Sequence, residues 1–158
     1  MIEVTGGTKK QRELVQSIAE YSAVKLLGPR LVTSVEIAIE LRHDLGQTLG
    51  NATWENDNHR PREFTMEVNA AKHIRLRRML ETVAHEMVHI KQFAKGEMKD
   101  LMSRPANIRK WMGKEVDTNT ISYWDLPWEI EAYGREAGLF VRWAEENNLA
   151  KEEWTHDV

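Results

Sequence analysis

The stretch from His73 to Lys95 contains neither glycine nor proline, and it constrains the fold more than any other part of the chain. Apolar side chains recur along it every three or four residues, at Leu76, Leu80, Val83, Met87, Ile90 and Ala94. This spacing places them on one face of an α-helix, and the glycine at residue 96 is a common helix terminator. The sequence therefore predicts an amphipathic helix with one face in the core.

Two further helices are predicted, one near each end of the chain. Thr8 and Gln11 form a capping-box pattern, and the helical spacing of apolar residues that follows ends at Gly28, which precedes a proline. Near the other end, Pro127 is well suited to the first turn of a helix that reaches about Asn147. Both helices have an apolar side and are expected to pack on the core.

The strands are predicted from alternation of apolar and polar side chains. Residues 31–41 and 64–69 alternate in this way, and a short strand is predicted at residues 52–55. Residues 97–126 look irregular, and a connection of this length is usually functional or contains a short element. We expect an α+β fold, in which the N-terminal helix lies on a small, mostly antiparallel sheet and the two later helices follow.

Composition excludes several classes of site. A chain of 158 residues with 41% hydrophobic and 30% charged residues fits a single globular domain over residues 1–158. It has no cysteine, which excludes disulfides and thiolate metal sites, and its net charge of -3 gives no general reason to expect a nucleic-acid or membrane partner. The start lacks the apolar core of a signal peptide, and we expect a cytoplasmic location.

The motif His85-Glu86-Met87-Val88-His89 lies inside the predicted central helix. Four residues advance an α-helix by about 400°, so the two imidazoles lie one turn apart on nearly the same face and can bind one metal ion. Glu86 projects beside them and can act as a catalytic base. The remaining histidines lack ligand spacing and are expected to face solvent or cap helices; they are His43, His59, His73 and His156.

A catalytic zinc site normally has three protein ligands, so another His or carboxylate must approach this pair. Glu129 and Glu131, on the C-terminal helix, are the candidates. Glu129 shares its helix face with Ala132 and Phe140, towards the core, whereas Glu131 shares a solvated face with Arg135. This favours Glu129 as the third ligand, and Glu131 remains the alternative.

These two segments resemble the gluzincin branch of the HExxH metallopeptidases, in particular the mini-gluzincin and SprT-like proteins and their small phage-encoded members. The matching sequences are HEMVH at residues 85–89 and PWEIEAYGREAG at residues 127–138, which resembles the glutamate segment of the family. The resemblance implies zinc bound by His85, His89 and Glu129, and a peptide or protein substrate. It also implies that the strand FTMEVN is an edge strand for substrate.

Two departures from the family pattern limit this resemblance. Some relatives have an aspartate four residues after the ligand glutamate to support a histidine, and this chain has Tyr133 there. SprT proteins often carry a cysteine-rich zinc ribbon, which a chain without cysteine cannot form. A role linked to nucleic acid is correspondingly less supported.

The hypothesis from sequence is zinc-dependent peptide hydrolysis. Zn2+ would acidify a water molecule and polarise the scissile carbonyl, and Glu86 would take the proton. Glu86→Gln would lower turnover by orders of magnitude and preserve metal binding. The second oxyanion donor is left open among Tyr123, Tyr133 and Arg78.

The rival hypothesis is a non-catalytic or latent zinc module. Residues 97–126 would cover the cleft in a latent enzyme, and a basic cluster would contact phosphates in a nucleic-acid-binding module. That cluster consists of Arg60, Arg62, Lys72, Arg75, Arg77 and Arg78.

Overall fold

The first strand, helix and second strand of the chain form a parallel β-α-β unit. The computed structural model describes residues 1–55, 60–101 and 104–158. Strand β1 (Ile2–Gly6) is followed by helix α1 (Lys9–Leu31) and strand β2 (Glu36–Arg42). β1 and β2 pair in parallel, and α1 provides the long crossover that parallel neighbours require.

Helix α1 begins as the sequence predicts but extends past the predicted end at Gly28 to Leu31. The Thr8 hydroxyl accepts a hydrogen bond from the backbone N–H of Gln11 at 3.1 Å, and the Gln11 side chain accepts one from the Thr8 N–H at 2.9 Å. This reciprocal pair is a capping box. At the other end, Gly28 has a φ of 81°, which interrupts the helical path before the last turn. Glycine tolerates this conformation because it has no Cβ.

Strands β3 (Gly50–Trp54) and β4 (Glu63–Asn69) complete a four-stranded sheet with the order β1-β2-β4-β3. β4 is parallel to β2, and only β3 is antiparallel to its neighbour. The strand predicted at residues 31–41 begins only at Glu36, because residues 31–34 form the end of α1 and a 3-10 turn. The alternation predicted for the rest of β2 and for β4 is confirmed, since their apolar side chains are buried on the face that the helices cover. They are Ile37, Ile39, Leu41, Phe64, Met66 and Val68.

Helix α2 (Leu76–Ala94) is the predicted central helix, and it packs against the sheet and against the two other long helices. It contacts β3 and β4 on one side, and α1 and the C-terminal helix α3 (Pro127–Glu146) on the others. Nearly all of its residues are consequently buried, from Met79 to Ala94 with the exception of His89. Polar groups on α2 therefore lie in the interior, where they require polar partners.

The segment between α2 and α3 holds a second, antiparallel sheet. It consists of β5 (Met98–Asp100), β6 (Ile108–Trp111) and β7 (Lys114–Asp117), followed by a short 3-10 turn at Tyr123–Asp125. The sequence predicted an irregular connection here. Short strands rich in charged residues have weak alternation, which explains why this sheet was missed.

The α+β class is confirmed, and two details of the predicted sheet are wrong. The main sheet is mixed, because two of its three pairings are parallel. The strand FTMEVN, which is β4, lies in the interior of the sheet between β2 and β3, and the edge strand beside α2 is β3.

In the described part of the chain, no helix has the length and apolar character needed to span a bilayer.

Candidate metal centre

His85, His89 and Glu129 converge on one point between α2 and α3. The Nε2 atoms of the two histidines lie 3.2 Å apart. Glu129 places Oε2 3.3 Å from Nε2 of His85 and Oε1 3.4 Å from Nε2 of His89. These three residues form a group that can hold a metal ion. The structure thus brings together the three predicted ligands.

Local helix geometry accounts for this convergence. The two histidines are four residues apart on α2, and their rings meet edge to face with centroids 4.9 Å apart. Glu129 lies in the first turn of α3, which Pro127 opens. Ala132, one turn further on the same face, is fully buried, as expected for the side that packs against the core.

The Nδ1 atom of His85 is held by a carboxylate that the sequence did not identify. It donates a hydrogen bond to Oε2 of Glu136 at 2.8 Å, and Oε1 of Glu136 accepts one from Arg78 at 2.9 Å. With Nδ1 protonated, Nε2 of His85 presents its lone pair to the group of three. Glu136 therefore orients the imidazole of His85, a role for which the sequence offered no candidate.

Tyr133 has a different place in the site. Its ring lies edge-on to the His85 ring, with centroids 4.6 Å apart, and it is only partly buried. Its hydroxyl is 3.5 Å from the hydroxyl of Tyr123. Both tyrosines and Arg78 line the same cleft as His85, so the three residues left open as oxyanion donors all lie near the candidate metal centre.

The pKa values of His85 and Glu129 each depend on the charged groups beside them. Burial acts to lower the pKa of His85, but the carboxylates of Glu129 and Glu136 outweigh it and raise the pKa to about 9. Burial acts to raise the pKa of Glu129, but the imidazoles of His85 and His89 hold that pKa well below its usual value. The carboxylates thus favour a charged His85 and the imidazoles favour a charged Glu129. Metal binding at Nε2 of His85 therefore competes with proton binding.

Glu86 lines a cleft of about 220 Å³ beside His85. Its side chain is buried, and burial raises the pKa of its carboxyl above the ordinary value. Glu86 is not a member of the group that can hold a metal. The arrangement separates one carboxylate, Glu129, which faces both imidazoles, from a second that faces the cleft, as the sequence predicted.

Gly50, at the start of β3, keeps this cleft open. A Cβ there would lie 2.7 Å from Cγ2 of Thr82 and 3.5 Å from Cγ of Glu86. The Thr82 hydroxyl donates to the Arg78 carbonyl at 2.8 Å, which fixes the rotamer that Cγ2 occupies.

We expect Gly50→Ala to destabilise the fold by about 1–3 kcal/mol, because the added methyl group overpacks the contact with Thr82. The matched control is Gly134→Ala on α3, where a Cβ meets nothing within 4 Å. That substitution should stabilise the helix by about 0.5–1 kcal/mol. Urea denaturation of both variants measures the two effects, and equal stability of both variants would contradict the proposed contact.

Glu131, the alternative ligand, points away from the group of three. Its Oε2 accepts from Lys91 at 2.7 Å, and its Oε1 accepts from Gln92 at 3.0 Å. The predicted pair with Arg135 is present at 3.2 Å, but the Glu131 side chain is only 19% exposed and does not lie on a solvated face. The choice of Glu129 over Glu131 thus agrees with the observed geometry.

The remaining candidates are dispersed. His43, His73 and His156 are exposed, and His59 lies outside the described residues. Much of the basic cluster is engaged within the protein: Arg75 pairs with Asp157, Arg77 with Glu81, and Arg78 with Glu136, while Arg62 donates to the Ala94 carbonyl.

The residues that sequence reasoning missed are Glu136, as the partner of His85, and Gln92, as the partner of His89. The helical spacing of both residues places them near the ligands. Glu136 lies two turns after Glu129 on the same face of α3, and Gln92 lies one turn after His89. Helical spacing indicates such proximity, but it does not indicate which polar atoms meet.

No family model, curated protein or solved structure matches the chain. Its function must therefore be inferred from the residues and geometry of the site itself.

Proposed function

We propose that the chain is a zinc metallopeptidase of the gluzincin type, similar to the mini-gluzincin and SprT-like proteins. The observation that carries the proposal is the convergence of His85, His89 and Glu129 beside the cleft that Glu86 lines. Three protein ligands are typical of a catalytic zinc, whereas structural zinc sites usually have four. In the described part of the chain, the group that can hold a metal has three members.

The donor set and its spacing fit zinc. Zinc ligands at about 2.0–2.1 Å and tetrahedral angles are separated from one another by about 3.3 Å. The three donor separations here are 3.2, 3.3 and 3.4 Å. Oε2 of Glu129 is also buried without a hydrogen-bond partner among the described residues, as expected of an atom whose partner is a cation. Two imidazoles and a carboxylate suit zinc better than magnesium or calcium, which prefer oxygen ligands.

The roles of the protein groups follow from their positions. Zinc bound by the three ligands would acidify a water molecule and polarise the substrate carbonyl. Glu86, with its pKa raised by burial, accepts a proton from water in the cleft and transfers it to the departing amine nitrogen. Tyr123, Tyr133 and Arg78 line the same cleft, where their N–H and O–H groups can donate to the carbonyl oxygen.

In the part of the chain that the structure describes, β3 is an outer strand of the main sheet and provides a place for an extended peptide. β3 is the terminal strand in the order β1-β2-β4-β3, and its first residue, Gly50, lines the cleft together with Glu86. An edge strand can pair with a substrate backbone through main-chain hydrogen bonds. A peptide bound along β3 would therefore pass in front of Glu86 and His85.

Removal of the metal should abolish peptide hydrolysis. We expect the purified chain to contain one zinc ion and to cleave an unstructured protein or peptide library, and a chelator should abolish cleavage until zinc is restored. Elemental analysis and mass spectrometry of cleavage products measure both properties. Cleavage that persists after the metal is removed, or zinc-loaded protein without any turnover, would reject the proposed peptidase.

The nucleic-acid-binding alternative has less support. It requires basic side chains that are free to contact phosphates. Arg75, Arg77 and Arg78 instead form ion pairs with carboxylates of the protein.

A further inference from the structure

The imidazole of His89 is held by a buried amide. Nδ1 of His89 lies 2.8 Å from Oε1 of Gln92, whose side chain is fully buried. The Nε2 group of Gln92 lies 2.9 Å from the Trp128 carbonyl and 3.0 Å from Oε1 of Glu131. A carbonyl and a carboxylate can only accept hydrogen bonds. The NH2 group of Gln92 must therefore face them, and its oxygen must face His89.

This orientation determines the tautomer of His89. Because the amide oxygen of Gln92 can only accept, Nδ1 of His89 must carry a proton. Nε2 then has its lone pair available on the side of the ring that faces Glu129 and His85, at 3.4 Å and 3.2 Å. The hydrogen-bond chain from Glu131 through Gln92 thus prepares Nε2 for a cation.

Glu131 is itself fixed by a buried ion pair. Its Oε2 lies 2.7 Å from Nζ of Lys91, and the Lys91 side chain is only 7% exposed. Lys91 also pairs with Glu97 at 2.8 Å. With Oε2 bound to Lys91, Oε1 of Glu131 is directed to Gln92. Lys91 and Gln92 lie on α2 and Glu131 lies on α3, so the chain of contacts joins the two helices that supply the ligands.

We propose that Gln92 and Glu131 are positioning residues for the metal site: Glu131 sets the orientation of the Gln92 amide, and Gln92 sets the tautomer of His89. The proposal rests on the metal site of the proposed function. Glu131, the rival candidate for the third ligand, would therefore orient the partner of His89 and would not bind the metal itself. The two histidines are also unequal, because His85 is supported by the anionic Glu136 and His89 by a neutral amide.

Glu131→Gln tests the proposal with an isosteric change. The new amide would keep its oxygen for Lys91 and turn its NH2 towards the NH2 of Gln92. Because the Trp128 carbonyl still requires a donor, the two NH2 groups repel each other and displace the Gln92 amide from Nδ1 of His89. Nδ1 would lose its acceptor, and we expect zinc affinity to fall about 10- to 100-fold, the usual effect of losing such a partner. The matched control is Glu145→Gln on the exposed side of α3, which should leave zinc affinity unchanged.

Zinc affinity is measured on the full chain by competition with a chelator. Gln92→Leu provides a second variant, which removes the partner of His89 and leaves the Lys91–Glu131 pair in place. A spectroscopic readout needs no variant. In the zinc-loaded wild-type protein, the proton of His89 should be on Nδ1, visible by 15N NMR and protected from exchange with solvent. Glu131→Gln should lose that protection, which a role in packing alone would not predict.

Three results would overturn the proposal: a His89 that binds zinc through Nδ1, a Glu131→Gln affinity equal to that of Glu145→Gln, or a wild-type chain that does not bind zinc. Peptide turnover is not among these readouts. A chain that binds zinc as described but cleaves no peptide would reject the peptidase and leave the positioning network intact. A zinc peptidase whose zinc affinity is unchanged by Glu131→Gln would reject the positioning network and leave the proposed peptidase intact.

Discussion

Glu86→Gln is expected to lower kcat for peptide cleavage about 10²- to 10⁴-fold, the usual contribution of a positioned general base. The amide has the size of the carboxylate but cannot accept a proton from water. Glu86 is 7% exposed and lines the cleft beside His85, where a base can reach water next to the metal ligands. Steady-state kinetics on a peptide that the wild-type protein cleaves measure the loss.

Metal content separates this role from a role in binding. Glu86 is not part of the group of His85, His89 and Glu129, so the variant should bind zinc as tightly as the wild-type protein. Glu145→Gln, an exposed change of the same kind, should retain both zinc and turnover. Wild-type turnover in Glu86→Gln would remove Glu86 from the mechanism. Joint loss of zinc and turnover would instead make it a ligand.

The core of the site was predictable because it depends on local helix geometry. A run without glycine or proline indicated α2, and a spacing of four residues placed His85 and His89 on one face. The third ligand lies 40 positions after the second histidine, yet the apolar face of α3 indicated Glu129 rather than Glu131. In each case the period of a helix decides which side chains share a face.

The sheet was less predictable because strand pairing is not local. Alternation shows that β2 and β4 have a buried face, but it does not identify their neighbours. The five-residue β1 was missed, and with it the parallel pairing through α1. The resemblance to HExxH metallopeptidases placed β4 at the edge of the sheet, although β3 occupies that place beside Glu86.

The outer partners of the histidines were missed for a different reason. Their identity depends on which long polar side chains meet across the interface of α2 and α3. Tyr133 lies edge-on to the His85 ring, and Glu136, one turn later, is the residue that binds Nδ1 of His85. Buried polar atoms need partners, and Glu136 and Gln92 provide them for the Nδ1 atoms of the two histidines, while Glu131 provides one for Gln92.

Glu129→Ala is expected to weaken zinc binding more than about 100-fold, beyond the 10- to 100-fold that loss of an outer partner costs. The change removes one of three donors, the carboxylate that lies between the two imidazoles. Zinc at about 100 times the wild-type Kd should stabilise the wild-type fold by about 2.7 kcal/mol and leave the variant almost unaffected. Calorimetric titration and thermal unfolding with and without zinc measure the two effects.

The comparison of Glu129→Ala with Glu131→Gln decides which glutamate binds the metal. A ligand and a residue that acts through Gln92 differ in the size of the expected loss, and the ligand must show the larger one. Glu129 lies within 3.4 Å of both Nε2 atoms, whereas Glu131 is bound to Lys91 and Gln92. The affinities should therefore rank wild type above Glu131→Gln and Glu131→Gln above Glu129→Ala. The reverse order of the two variants would assign the metal to Glu131 and contradict the geometry of the site.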